Sequence, residues 1–179
     1  MHYKFYYTFT FITDFQKEKI LKLDKNVGLI LRNYDKNIKK NKLQEIKEFC
    51  KKNKRKFYLA NDIKLALNLN LDGVYISSYN KQFNIKKYKT KNNFLVMGSA
   101  HNLLEANIKK KQGVSLIFLS PLFKTKNYKK NLGIIKFNIL SKLINKKIIA
   151  LGGINNSNIK KLKMTYSCGF SAITYFKMN

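Results

Sequence analysis

Residues 148–154 read Ile-Ile-Ala-Leu-Gly-Gly-Ile, an unbroken apolar run that ends in two glycines. A short apolar run bounded by turn residues is typical of a strand buried on both faces, as in a parallel sheet covered by helices. Three other runs have the same character: Leu29-Ile30-Leu31, Val74-Tyr75-Ile76 and Leu116-Ile117-Phe118-Leu119. The chain therefore predicts an α/β protein with a parallel sheet.

Helical segments separate these runs from one another and from the other predicted strands, which are less continuously apolar. The predicted strands are 4–12, 28–32, 57–60, 73–77, 94–98, 115–120, 148–152 and 170–174. The predicted helices are 17–23, 39–52, 63–69, 102–111, 136–144 and 156–164. Residues 80–91 are too rich in Lys and Asn to assign.

Glycines mark every second strand. Gly28, Gly73, Gly113 and Gly169 precede strands 2, 4, 6 and 8, where we expect each to end a helix in the left-handed conformation. Lys/Asn clusters precede strands 3, 5 and 7. This alternation favours a compact TIM-type (βα)8 barrel over an open doubly wound sheet, for which no G-x-G-x-x-G motif is present.

The length sets the size of that barrel. Its 179 residues form one domain, 1–179, and are fewer than the roughly 200 at the low end of such barrels. Five residues follow the eighth strand, so we expect the eighth helix to be missing. A partner subunit in a homo-oligomer could cover the apolar surface thus exposed.

The charge is strongly positive, with 37 basic and nine acidic residues giving +28. The lysines are dispersed, and arginine, which nucleic-acid interfaces favour, occurs only at Arg32 and Arg55. We therefore weigh against nucleic acid as the partner, while the positive field favours phosphorylated ligands. No carboxylate follows Glu105, so any carboxylate-bound metal must use the first 105 residues.

The sequence shows no sign of a membrane segment. No apolar run reaches the roughly 18–20 residues of a membrane span. Threonines interrupt the apolar start of the chain, which does not fit a signal peptide. We expect a cytoplasmic protein.

Six segments at the predicted strand ends carry a resemblance to a known family. They are Leu29-Ile30-Leu31-Arg32, Leu59-Ala60-Asn61-Asp62 with Leu71-Asp72-Gly73-Val74-Tyr75, Gly98-Ser99-Ala100-His101, Ser120-Pro121-Leu122-Phe123-Lys124-Thr125, Ala150-Leu151-Gly152-Gly153-Ile154 and Cys168-Gly169-Phe170 with Ile173-Thr174. In this order they resemble the thiamine phosphate synthase/TenI family, which consists of (βα)8 barrels of thiamine biosynthesis.

The resemblance implies a reaction and a set of site residues. The synthase joins a hydroxymethylpyrimidine diphosphate to a thiazole phosphate and releases pyrophosphate, with Mg²⁺ as cofactor and phosphorylated small molecules as partners. The implied catalytic residues are His101, Arg32 and Ser99. The implied substrate- and phosphate-binding residues are Asn61, Thr125, Gly152, Gly153, Ile173 and Thr174. The implied metal ligand is Asp62.

Several of these residues have an ordinary structural alternative. Asp62 could cap the helix that follows it, and Arg32 could form an ion pair inside the barrel. His101 could be a core or helix-start histidine, and Gly152-Gly153 a simple tight turn.

The chain also departs from the family pattern. Ile30 stands where the family has a pyrimidine-recognising Gln, and Tyr34 where it has a pyrophosphate-binding Lys. Asn80 falls near the second metal-binding Asp. Asn127 and Tyr128 fall near a Thr and a Lys of the sixth loop, with Lys129 next.

Alternatives to the synthase therefore stay open. A TenI-like thiazole tautomerase needs an acid/base group, for which His101 is the candidate, and it needs no pyrophosphate ligand. A non-catalytic phosphate-ligand binder is a further alternative. A Lys-rich nucleic-acid binder is the most remote one.

Overall fold

Eight parallel strands close into a single barrel in the computed structural model, which describes residues 5–32, 40–83, 87–126 and 130–177. The strands are β1 (Tyr7–Ile12), β2 (Val27–Leu31), β3 (Phe57–Ala60), β4 (Gly73–Ile76), β5 (Leu95–Ala100), β6 (Leu116–Leu119), β7 (Lys147–Leu151) and β8 (Gly169–Ser171). They pair in chain order, and β8 returns to β1. The closed barrel confirms the predicted fold and excludes the open sheet.

The helices are short, as the length of the chain requires. They are α1 (Lys17–Leu21), α2 (Lys40–Lys52), α3 (Ile63–Asn68), α4 (Leu103–Lys111), α5 (Gly133–Ile144) and a 3₁₀ helix (Ile159–Met164). The last replaces the helix predicted over 156–164. Among the described residues, no α-helix lies between β4 and β5, and none follows β8.

Aromatic rings fill the interior of the barrel. Phe118 lies 5.2 Å from both Phe9 and Tyr75, and Phe11 lies 5.0 Å from Tyr75, as distances between ring centroids. Burial raises the pKa of Tyr58, which packs on the same cluster. Large rings fill a narrow barrel with few side chains, so the interior is a packed core and leaves room for a site only at the ends.

The glycine prediction was wrong in its reason for three of four positions. Of these four glycines, only Gly113 has a positive φ, of 81°. Gly73 and Gly169 lie in strands where a Cβ would come 2.0 Å from Leu95 O and 2.1 Å from Tyr7 O. Gly28 leaves room for the ring of Phe9. Close approach, not helix termination, is therefore what requires glycine at these three positions.

Left-handed residues other than glycine end several helices instead. Lys54, Asn70 and Asn145 have φ values of 52°, 51° and 50°, and they precede β3, β4 and β7. Asparagine tolerates this conformation better than most residues do.

Arg55 secures the amino-terminal end of the barrel, which we call the base. It is buried, and its guanidinium donates to Asp24 O at 2.8 Å and to Leu23 O. These bonds tie the start of β3 to the loop before β2. Beside it, Lys56 forms an ion pair of 2.7 Å with Asp72. The two terminal nitrogens of Arg55 and the ammonium of Lys56 thus bond to other protein groups, whereas Arg55 Nε has no hydrogen-bond partner among the described residues.

Aromatic side chains cover β8 where an eighth helix would pack. Phe5, Tyr175 and Phe176 surround Phe170, with ring centroids 5.4, 5.7 and 5.9 Å away. Exposed apolar side chains gather instead on α5, at Ile135, Ile139 and Leu143. The homo-oligomer that would cover the place of the missing eighth helix stays a prediction.

None of the helices that the structure describes could cross a membrane. The longest, α2, has 13 residues, and none of them has the length and apolar character that a bilayer span requires.

Candidate functional site

A cavity of about 710 Å³ opens at the carboxyl ends of the strands, which we call the mouth. Nine of the ten residues predicted for the site line it: Arg32, Asn61, Ser99, His101, Thr125, Gly152, Gly153, Ile173 and Thr174. Residues far apart in sequence converge here because all parallel strands end at the same rim. The structure brings these side chains together, and their individual roles stay predictions.

The charged side chains that the structure describes around the cavity all have the same sign. Arg32, Lys124 and Lys126 line the cavity, and no Asp or Glu does so among the described residues. The guanidinium carbon of Arg32 lies 3.5 Å from the centroid of the Phe11 ring, which holds it flat against the barrel core. Cationic side chains on the wall of the cavity favour an anionic ligand.

His101 follows β5 directly and is oriented by the neighbouring strand. Its Nδ1 lies 2.9 Å from Ser120 O and 3.2 Å from Ser120 Oγ. A carbonyl oxygen only accepts, so Nδ1 carries the hydrogen and the neutral ring has its lone pair on Nε2. The His101 N–H donates to Glu105 Oε2 at 2.8 Å, which fixes the backbone at this point. The arrangement suits a general base at Nε2.

Asn61 joins the ends of β3 and β4. Its backbone is left-handed, with φ 62°. Its Oδ1 accepts from Ser77 N at 2.9 Å and Ser77 Oγ at 2.8 Å, and its Nδ2 donates to Tyr79 Oη at 3.0 Å. The side chain thus orders this wall of the cavity. Direct phosphate binding by Asn61 stays a prediction.

The Gly152–Gly153 turn packs tightly against the loop after β6. Their φ values are 94° and 70°. A Cβ on Gly152 would lie 2.8 Å from Pro121 Cα, and one on Gly153 would lie 2.5 Å from Lys124 O. Phe123 N donates to Gly152 O at 3.0 Å. Both the turn and the close approach therefore require glycine, whatever ligand the turn binds.

Ser171 contributes a hydroxyl to the same cavity. The residue is fully buried, and its Oγ has no hydrogen-bond partner among the residues that the structure describes. A buried hydroxyl without a partner is costly. It is therefore a candidate contact for a ligand that enters the cavity.

Asp62 does not line the mouth cavity. Its Oδ1 accepts from Leu65 N at 2.9 Å, so it caps α3, as the structural alternative proposed. It also lines a pocket of about 100 Å³ together with Asn80 and Gln82. In the described part of the chain, no group of three or more His, Cys, Asp or Glu side chains could hold a metal ion. The described residues do not form a Mg²⁺ site by themselves, and Asp62 as a Mg²⁺ ligand stays a prediction.

Several positions that depart from the family pattern can also be placed. Ile30 is buried within the barrel and does not line the cavity. Asn80 borders the small pocket. Tyr34 and residues 127–129 lie outside the described residues.

Sequence reasoning missed some residues of this region. Ser77, Tyr79, Ser120, Lys124, Lys126 and Ser171 line the cavity but were not assigned to the site. Lys124 and Lys126 belong to a lysine run, and their position directly after β6 was the available signal. Ser171 follows a predicted strand start by one residue, so its inward direction could have been inferred from alternation.

Comparison with known proteins identifies the family. Residues 18–175 match the profile of the family described as thiamine monophosphate synthase. The chain belongs to this family. The match covers the barrel from α1 to the turn after β8, so it includes every strand except β1.

Individual relatives agree with this membership. A protein of Aquifex aeolicus (strain VF5) with a provisional thiamine-phosphate synthase name is 31% identical over 166 residues, which are 89% of this chain and 87% of the relative. The thiamine-phosphate synthase of Pelagibacter ubique (strain HTCC1062) is 31% identical over 76% of this chain and 66% of its own length. That of Prochlorococcus marinus (strain CCMP1986 / NIES-2087 / MED4) is 32% identical over 66% of this chain, which spans only 34% of its length.

Solved structures agree on the fold. The thiamine phosphate pyrophosphorylase from Pyrococcus furiosus superposes with a TM-score of 0.74 over 96% of this chain and 91% of that one. The two sequences are 17% identical, so the likeness concerns the barrel itself.

Proposed function

We propose that this member of the thiamine monophosphate synthase family forms thiamine phosphate from a hydroxymethylpyrimidine diphosphate and a thiazole phosphate, with release of pyrophosphate. The observation that carries the proposal is the charge of the mouth cavity. Its charged side chains among the described residues, Arg32, Lys124 and Lys126, are all cationic. Two phosphorylated substrates and a pyrophosphate leaving group match such a cavity.

The chain's part in this reaction is to position the substrates and neutralise charge. The thiazole nitrogen forms a bond to the pyrimidine methylene carbon as the carbon–oxygen bond breaks, and the electron pair leaves with pyrophosphate. Arg32 offers a planar fork that matches phosphate oxygens, and stacking on Phe11 fixes its plane. Lys124 and Lys126 add positive charge on the opposite rim, after β6. The N–H groups of the Gly152–Gly153 turn would bind the thiazole phosphate.

A second candidate function rests on the geometry of His101. Its Nδ1 is held by Ser120 O, which leaves Nε2 as the basic atom of the neutral ring. That arrangement suits thiazole tautomerisation, in which a proton leaves one ring position and another is added. Neither a pyrophosphate ligand nor a metal is needed for this proton transfer.

The Mg²⁺ prediction requires its own test because the described residues do not form a metal site. Asp62 is the carboxylate predicted for it, and one of its oxygens already caps α3. Mg²⁺ is usually held by one or two carboxylates together with substrate phosphates. A Mg²⁺ titration of turnover decides the role of the metal.

The test is a turnover assay with both thiazole phosphate isomers, with and without the pyrimidine diphosphate and Mg²⁺. The variants are Arg32→Lys and His101→Asn, and the control is Lys160→Gln, an exposed lysine of the 3₁₀ helix. Synthase activity predicts pyrophosphate release that falls in Arg32→Lys, because a point charge does not replace a fork. Tautomerase activity predicts isomerisation that falls by about 10²-fold or more in His101→Asn.

Three results would overturn these assignments. Full turnover in both variants would remove Arg32 and His101 from the chemistry. No turnover under any condition, with thiazole phosphate still bound, would leave the non-catalytic binder. Salt-dependent binding to generic RNA without binding to thiazole phosphate would select the nucleic-acid alternative.

A further inference from the structure

Lys109 of α4 is a lysine without solvent exposure. Its relative accessible surface is 0%, although the neighbouring Lys111 is exposed. Its Nζ donates to Asn80 O at 2.7 Å and to Gln112 Oε1 at 2.9 Å. A buried ammonium is expensive unless its hydrogen bonds are made. Lys109 therefore does not serve as a surface charge, and its buried hydrogen bonds indicate a structural role.

Gln112 bonds to the same backbone carbonyl as Lys109. The residue is fully buried, and its Nε2 donates to Asn80 O and to Gln82 O, both at 2.9 Å. Because its Oε1 accepts from Lys109, both ends of its side-chain amide are used. The two side chains form a buried pair that binds backbone carbonyls of one loop.

That loop, residues 77–82, follows β4, and we call it the β4 loop. In many barrels a helix would lie between β4 and β5, but the described residues contain no α-helix there. A Cβ on Gly98 of β5 would lie 2.9 Å from Lys109 Cδ, so the glycine makes room for the lysine chain. The Lys109–Gln112 pair thus holds the loop against the barrel.

The β4 loop forms a wall of the mouth cavity. Ser77 and Tyr79 line the cavity and hydrogen-bond to Asn61, which lines it as well. Asn80 links these residues to the pair: its carbonyl accepts from both Lys109 and Gln112, its N–H donates to Ser77 O at 3.1 Å, and its Nδ2 donates to Asn61 Oδ1 at 3.4 Å. A continuous set of hydrogen bonds therefore runs from α4 to the cavity.

We propose that Lys109 and Gln112 are positioning residues that order the β4 loop and, through it, the Asn61 wall of the mouth cavity. Neither residue lines the cavity itself. The ammonium is suited to the task because charge-assisted hydrogen bonds to a carbonyl are stronger than neutral ones. Burial lowers the pKa of Lys109 to about 8, and attraction by Glu105 opposes the shift, so the ammonium predominates near neutral pH.

Hydrogen–deuterium exchange tests this without depending on the reaction. The variants are Lys109→Met and Gln112→Met, and the matched control is Lys111→Met on the same helix. We expect amides of the β4 loop, including those of Ser77 and Gln82, to exchange at least about tenfold faster in both variants. Exchange in β6 and β7 and the melting temperature of Lys109→Met should stay close to the parent values, because methionine removes a buried charge without leaving a cavity.

Either of two results would overturn the proposal. Loop exchange in both variants equal to that of Lys111→Met would show that the pair does not order the loop. An equal rise in amide exchange across all strands would show that Lys109 and Gln112 contribute to the stability of the whole fold and not to the order of this loop. If Lys109→Met does not fold, Gln112→Met decides by the same criterion.

A second readout rests on the proposed function. If substrate must order a loosened wall, KM for thiazole phosphate should rise about five- to tenfold while kcat changes less than about twofold. Equal losses in kcat and kcat/KM would contradict this. A parent protein without turnover would refute the proposed function but leave the exchange result to judge the positioning role.

Discussion

The two ends of the barrel use the same residue type in opposite ways. At the base, Arg55 is buried and its guanidinium donates to two backbone carbonyls. At the mouth, Arg32 lies on the Phe11 ring and lines a cavity whose other charged side chains, within the described part of the chain, are also cationic. Charge that is satisfied within the protein stabilises the fold, whereas cations gathered around a cavity favour an anion. We therefore expect residues at the base to contribute mainly to stability and residues at the mouth to contribute mainly to ligand binding.

The glycines give the sharpest contrast, and we expect the largest effects there. Gly73→Ala would place a Cβ 2.0 Å from Leu95 O in the sheet near the base, and Gly153→Ala would place one 2.5 Å from Lys124 O at the mouth. We expect Gly73→Ala to destabilise the fold by about 3 kcal/mol or more, because neighbouring strands cannot separate. Urea denaturation measures this loss.

Gly153→Ala should behave differently because the loop after β6 can shift. We expect a smaller loss of stability, about 1–2 kcal/mol, and a loss of thiazole phosphate affinity of about tenfold or more. Calorimetric titration measures the affinity. Equal losses of stability in the two variants would contradict the division between base and mouth.

Substitution of the two arginines should have effects of intermediate size, one on the free energy of unfolding and the other on ligand affinity. Arg55→Met leaves two carbonyl oxygens without donors, so we expect a loss of about 2–3 kcal/mol in the free energy of unfolding and unchanged affinity for inorganic pyrophosphate. Arg32→Met should change stability by less than about 1 kcal/mol and weaken pyrophosphate binding about tenfold, or 1.4 kcal/mol. Denaturation and titration of both variants test this, and parallel effects on stability and binding would refute it.

Lys109 lies outside both ends and provides a pH-dependent test. Its pKa is lowered by burial to about 8, whereas an unfolded lysine titrates near 10.4. Between these values the unfolded chain binds more protons, so this residue makes the free energy of unfolding rise with pH. The difference between parent and Lys109→Met should shift in favour of the parent by about 2–3 kcal/mol from pH 7 to pH 10. A difference independent of pH would show that Lys109 titrates normally.

Ser171 should give the smallest change. Removing its unpartnered hydroxyl in Ser171→Ala should raise the free energy of unfolding by about 1 kcal/mol. If the hydroxyl contacts a ligand, affinity for thiazole phosphate should fall about two- to fivefold. Ser141→Ala is the control, because that buried hydroxyl donates to Phe137 O at 2.7 Å and its loss should not stabilise the fold. Higher stability in both variants, or in neither, would contradict the assignment.

The sequence predicted the fold because buried parallel strands leave a local pattern. All eight strands were found from apolar runs, with their ends within a few residues. The glycines at 28, 73 and 169 were assigned to helix ends, since a sequence shows a glycine but not the strand backbone lying 2 Å from its missing Cβ. The segment 80–91 gave no periodicity, in agreement with the absence of an α-helix among its described residues.

The site was predicted where the strand ends carry unusual residues. Arg32 and His101 stood out because arginine and histidine are rare in this chain, and both line the cavity. Asp62 illustrates the limit of such reasoning, because a residue at a strand end is also a residue before a helix, and the structure shows its cap on α3. Lys109 illustrates a second limit, because it lies in a run of three lysines and nothing in the sequence distinguishes the buried one from its neighbours.

The sequence by itself determined an α/β barrel, a strongly basic chain and the rim on which the candidate residues lie. These properties follow from hydrophobic patterning, composition and the alternation of strands and helices, which are local. Only the tertiary structure decided that Arg32 lies against the ring of Phe11, that Nδ1 of His101 is held by Ser120, and that a lysine of α4 is buried on the β4 loop. Each of these depends on contacts between residues distant in sequence, and such contacts exist only once the barrel has closed.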